Sequence, residues 1–173
     1  MSHRNAPAVS VRKPMCEGDH SAIRSLFVEL QEHGRASDAR LSPGEEIADS
    51  YLESLMRKCE QYEGCFFVAE LSGEVCGYVC VLAKVPCTEP ADGLSVQAEV
   101  IDLVVSKFAR SAGVGRALLA NAEDFSTRAG ARFLRVSVFA SNHSAVEFYE
   151  HAGYTEHEVV YEKQLSPTAS HGT

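Results

Sequence analysis

The chain has 173 residues, 45% of them hydrophobic, enough for one domain with its own core and no disulfide or metal staple. Its 16 Lys and Arg against 24 Asp and Glu leave a formal charge of −8, the wrong sign for non-specific binding to nucleic acid or to an anionic membrane surface. No stretch approaches the ~20 apolar residues of a membrane span, and "MSHRNAPAVS" lacks the apolar region of a signal peptide, so a cytoplasmic location is expected.

Residues 1–8 read as a flexible start, and "VSVRKP" follows with the alternation of a short strand. "GDHSAIRSLFVELQEHG" predicts a helix with Asp19 or Ser21 as its cap, Ile23, Leu26, Phe27 and Leu30 as its apolar face and Gly34 as its stop. The polar "RASDARLSPG" leads into "EEIADSYLESLMRKCEQ", a second helix with Ile47, Tyr51, Leu55 and Cys59 along one stripe. "GCFFVAEL", "EVCGYVCVLAKV" and "SVQAEVIDLVV" read as strands two to four, the first two joined by a hairpin bent at Gly73, and "PCTEPADG" as a surface loop. A helix over Gly113–Arg128, a strand "RFLRVSVF", a short helix "HSAVEFYEHA", a final strand near "HEVVYEKQL" and a flexible tail at 166–173 complete the chain. The order β-α-α-β-β-β-α-β-α-β describes an α/β domain over 9–165, a mixed central sheet flanked by helices.

Six cysteines, at 16, 59, 65, 76, 80 and 87, form no C-x-x-C pair and read as small apolar side chains. His143, His151 and His157 lack an accompanying carboxylate or cysteine cluster, so no metal site is expected.

Two motifs carry chemistry. The first is R-x-x-G-x-G, Arg110 to Gly115, between a strand and a helix whose apolar positions Val114, Leu118, Ala122 and Phe125 keep helical spacing. It is neither a dinucleotide fingerprint nor a P-loop. Gly113 and Gly115 let a ligand approach the backbone, and the first-turn N–H groups with the helix dipole favour a phosphate. The plainer alternative is a turn glycine followed by one that allows close helix packing. The second motif, "SNHSAVEFYEHAGY", sets Ala145, Phe148, Tyr149 and Ala152 on one helical face, with Asn142 as cap and Gly153 as stop.

Together the motifs resemble the GCN5-related N-acetyltransferase (GNAT) superfamily, marked by R/Q-x-x-G-x-G/A after the fourth strand and N-x-x-A-x-x-F-Y-x-x-x-G-F/Y after the fifth. Lys107 and Ser111 depart from the proline and glycine frequent at those positions. The resemblance implies acetyl-CoA as co-substrate, with no metal. Its pyrophosphate would rest on the amides of Arg110, Ser111, Ala112, Gly113, Val114, Gly115 and Arg116. Its pantetheine arm would run beside Leu103, Val104 and Val105, and Asn142 would be both cap and coenzyme contact.

An amine must lose a proton before it attacks a thioester. Glu99 and Asp102 are the charged residues of the apolar fourth strand, and alternation sets them on opposite faces unless a bulge intervenes. Glu99 is the preferred base and Asp102 the alternative, unless one of them pairs with Arg132 or Arg135. A fourth-strand N–H near Val104 or Val105 would meet the oxyanion, and Tyr149 is the acid implied for the thiolate. The expected function is acetyl transfer to a primary amine of a small molecule, peptide or protein by direct attack in a ternary complex. A non-catalytic acyl-CoA-binding or sensing module is the alternative. Neither nucleic acid nor a membrane is an expected partner, and a homodimer is compatible with the sequence.

Overall fold

In the computed structural model, which describes residues 8–87 and 96–165, the chain runs through five strands and four helices. They are β1 (Val9–Arg12), α1 (Glu17–Arg35), α2 (Gly44–Gln61), β2 (Cys65–Leu71), β3 (Glu74–Pro86), β4 (Val96–Val105), α3 (Val114–Arg128), β5 (Leu134–Val136) and α4 (His143–His151). The five strands form one sheet in sequence order. Pairing is antiparallel from β1 to β4 and parallel between β4 and β5.

The centre of β3 is apolar at consecutive positions because the sheet is covered on both sides. Tyr78 packs with Ile23, Leu26 and Phe27 of α1 and Ala48 of α2. Val79 and Val81 pack with Val114, Leu118 and Ala122 of α3. Gly77 allows the close crossing: a Cβ there would lie 2.7 Å from the Val104 carbonyl oxygen and 3.1 Å from Leu118. The β2–β3 hairpin turns through Ser72 and Gly73, both at positive φ (56° and 85°) as a type I′ turn requires.

β4 carries the irregularity that builds the site. Cys80 pairs with Asp102 and Val81 with Val100, so Ile101 is one extra residue on β4, a bulge. Residues directly opposite share a face, so Glu99, opposite Leu82, and Asp102, opposite Cys80, both point to the α1–α2 side. The alternation expected from sequence fails at that one residue.

Three other expectations change. Residues 154–165 form no strand, and Val160 and Tyr161 lie exposed. Their alternating pattern finds no ladder, since β5 is only three residues long. Neither Asp19 nor Ser21 caps α1. Cys16 holds that position, while buried Asp19 accepts bonds from Met15 N at 2.7 Å and Arg12 Nη1 at 2.7 Å, tying β1 to the helix. α1 also continues one residue past Gly34. The expected flexible ends, apart from Ala8, and all but Pro86 and Cys87 of the expected surface loop lie outside the described residues. No helix among the described residues is long and apolar enough to cross a membrane.

Candidate active site

β4 and β5 pair only at Ala98–Leu134, Glu99–Arg135 and Val100–Val136, and beyond Val100 they part. The open edge of β4 therefore has backbone groups with no strand to bond. Ser106 N donates to Cys76 O at 2.9 Å. Carrying the antiparallel alternation back along β4 turns the N–H groups of Asp102 and Val104 towards β3, and those of Leu103 and Val105 towards the open edge. Of the Val104 and Val105 amides, only that of Val105 faces the open edge.

A cleft of about 490 Å³ lies along this edge, bounded by Leu103, Val104 and Val105 on one side and by Asn142, Phe148 and Tyr149 of the α4 region on the other. Its far end is the turn into α3, where Arg110, Ser111, Gly113, Val114, Gly115 and Arg116 line it and Ala112 does not. Gly113 is the α3 N-cap at φ 82°, and Ser111 also holds positive φ, 63°, without being glycine. A Cβ on Gly113 would meet nothing within 4 Å, so glycine is needed there for its backbone conformation. On Gly115 a Cβ would lie 3.4 Å from the Phe148 ring, so this glycine allows α4 to pack on α3. Arg110 leans over the cleft mouth, its Nε donating to Val105 O at 3.3 Å and its Nη2 lying 3.8 Å from Glu29 Oε1.

A second chamber of about 280 Å³ adjoins the cleft, sharing Leu103, Asn142 and Tyr149 with it and adding Tyr51, Ile101 and Asp102. Asp102 is 5% exposed. Tyr51 donates to its Oδ1 and Tyr78 to its Oδ2, each at 2.9 Å. Burial pushes the Asp102 carboxyl above the ordinary carboxylate value, and the two tyrosine hydrogen bonds oppose that rise. Both tyrosines are raised, first by their burial and then by the carboxylate they bind. Glu99 lines neither chamber; it accepts from Gln97 Nε2 at 2.8 Å and has Arg135 as its register partner on β5.

Tyr149 stands where the two chambers meet, and its pKa is pushed up to about 12, mainly by burial and then by the charge of Asp102. Asn142 caps α4, its Oδ1 accepting from Ala145 N at 3.2 Å and Ser144 Oγ at 3.0 Å. Sequence reasoning had placed Tyr51 in an apolar stripe and passed over Glu29. The available signal for Tyr51 was its hydroxyl, since a phenol on the core side of a helix needs a partner. Among the described residues no group of three or more His, Cys, Asp and Glu could hold a metal ion.

The model of the "Acetyltransferase (GNAT) family" matches residues 17–154. The chain belongs to the GNAT acetyltransferase family. Among its relatives, the uncharacterized N-acetyltransferase YhfO of Bacillus subtilis is 30% identical over 141 residues, 80% of this chain and 85% of that one. The uncharacterized N-acetyltransferase MJ1207 of Methanocaldococcus jannaschii is 32% identical over 64% of this chain, a match spanning 46% of its own length. A solved structure from Pyrococcus furiosus, provisionally named an acetyl transferase, superposes with a TM-score of 0.72 at 28% identity, covering 91% of this GNAT chain and all of the other. The fold is also that of AAC(6′)-Iy, solved with a CoA-linked bisubstrate analogue, at a TM-score of 0.68 and 16% identity over 92% and 99% of the two chains.

Proposed function

We propose that this GNAT protein transfers the acetyl group of acetyl-CoA to a primary amine by direct attack. The observation that carries the reading is the adjacency of the two chambers along the open edge of β4, one reaching the α3 N-terminus and the other Asp102, with Tyr149 lining both. The first chamber fits the coenzyme. A positive-φ glycine caps α3, the helix presents its first-turn N–H groups, and the unpaired edge at Leu103 and Val105 can bond an extended amide-bearing arm.

The thioester supplies the acyl group, and this chain's residues handle orientation and protons. Asp102, which lines the second chamber, takes the proton of the acceptor's ammonium, and burial, by raising its pKa, makes it a stronger base than an ordinary carboxylate. Glu99, held by Gln97 outside both chambers, is the less suited carboxylate. The Val105 N–H faces the side on which charge develops on the acyl oxygen. As the N–C bond forms and the C–S bond breaks, the Tyr149 phenol protonates the departing sulfur. The proton shed by the new amide nitrogen restores the phenol.

Calorimetry with acetyl-CoA, followed by CoA release across a broad panel of amines with Tyr149→Phe as control, tests the reading. Saturable binding and amine-dependent CoA release, lost in the control, are expected. Absence of binding overturns the whole proposal, and binding without turnover on any amine leaves only the sensing module.

A further inference from the structure

The walls of the second chamber bear on what the acceptor carries besides its amine, an inference that rests on the reading above. Among the described residues lining it, Asp102 is the one carboxylate, and no lysine or arginine is among them. The rest of the wall is largely apolar, with Phe27, Leu41, Ile101, Val136, Val138 and Phe139. The loop after α1 and the segment after β5 both reach the end of α1, since a Cβ on Gly34 would lie 3.2 Å from Leu41 and 3.9 Å from the Phe139 ring. At about 280 Å³ the space falls below the roughly 300–1,000 Å³ of pockets for drug-sized ligands.

We propose that the acceptor is a small monoamine whose amino group is joined by a short linker to a compact apolar or aromatic body. One ammonium meets one carboxylate. A second ammonium, as in a polyamine, would lose its hydration with no counter-charge on the wall. A carboxylate or phosphate on the acceptor would meet no lysine or arginine among the described residues of the wall, where His33 is the one imidazole. An apolar body, by contrast, exchanges water for Leu41 and Phe139.

The test is steady-state acetylation by the full chain at saturating acetyl-CoA, with 2-phenylethylamine, propylamine, spermidine, glucosamine 6-phosphate and a lysine-containing peptide as acceptors. Phenylethylamine is expected to exceed each of the others in kcat/KM by about tenfold or more, the discrimination an apolar pocket can deliver. Leu41→Ala and Phe139→Ala should each raise KM for phenylethylamine several-fold and leave propylamine within about twofold. Preference for spermidine, the sugar phosphate or the peptide, or equal use of propylamine, overturns the inference and leaves acetyl transfer standing. A protein that binds acetyl-CoA and acetylates none of these or any other amine fails at acetyl transfer itself, and this inference falls with it.

Discussion

Tyr51, on α2, and Asp102, on β4, are 51 residues apart in sequence and joined by a 2.9 Å hydrogen bond, so one helix of the α1–α2 layer helps to set the charge state of a strand carboxylate. Tyr51 donates to the ionised form and pulls the Asp102 pKa down. In Tyr51→Phe that bond is gone, the Asp102 pKa rises further, and the acidic limb of kcat/KM should move to higher pH. A pH–rate profile checks this, and a limb that stays in place would separate Asp102 from the rate.

Asp102→Asn should lower kcat by about 10²-fold, the usual size of a general-base contribution, and abolish the acidic limb. The same group affects stability with the opposite sign. Because burial raises its folded pKa above the unfolded value near 4, its favourable contribution is complete below that value and is lost as pH rises through the folded pKa. The Tm difference between wild type and Asp102→Asn, followed by calorimetry against pH, should therefore shift in favour of the variant as pH rises.

Tyr149→Phe should lower kcat by about 10²-fold with little change in acetyl-CoA affinity. With its pKa near 12, the wild-type phenol stays protonated at neutral pH, so no alkaline limb from Tyr149 is expected below about pH 10. Pre-steady-state turnover and calorimetry on the same variant separate the two effects, and full activity at every pH would remove Tyr149 from proton transfer.

Gly113→Val should raise the acetyl-CoA KM by about tenfold, equivalent to ~1.4 kcal/mol. No protein atom lies near a Cβ at Gly113, which lines the cleft, so the valine side chain would enter the space proposed for the coenzyme, and the left-handed backbone at φ 82°, which a β-branched residue tolerates worst, adds to the cost. Gly113→Asn, whose side chain accepts that conformation, should bind acetyl-CoA more tightly than the valine variant, and the reverse order would show that the turn's conformation is unimportant.

Gly77→Ala should destabilise the fold by about 1–3 kcal/mol, as overpacking does, because its methyl would lie 2.7 Å from a backbone oxygen of β4 that cannot give way without moving the strand. Chemical denaturation measures this. A neutral result would mean that β3 and β4 can separate at low cost.

The amino-acid sequence by itself determined the elements whose causes are local. The hairpin at Gly73, the amphipathic faces of α1 and α2, the glycine that starts α3 and the Asn142 cap of α4 each depend on residues within a few positions of one another. The order of strands and helices, and with it the mixed sheet, followed from those signals. Only the tertiary structure sets the surroundings of the two carboxylates of β4 apart. Ile101 is an extra residue that shows itself only against the β3 register, and it brings Glu99 and Asp102 to one face. What then distinguishes them is the partners: Tyr51 and Tyr78 reach Asp102 from 51 and 24 residues away, while Glu99 is held by its neighbour Gln97. The segment 157–165 misled for the same reason in reverse, since its alternation is a local property but a strand exists only where another strand offers an edge. Burial and hydrogen-bond partners are set by the folded neighbourhood, and they move the carboxyl's pKa, so the chemistry of Asp102 is a property of the assembled sheet and its α1–α2 layer.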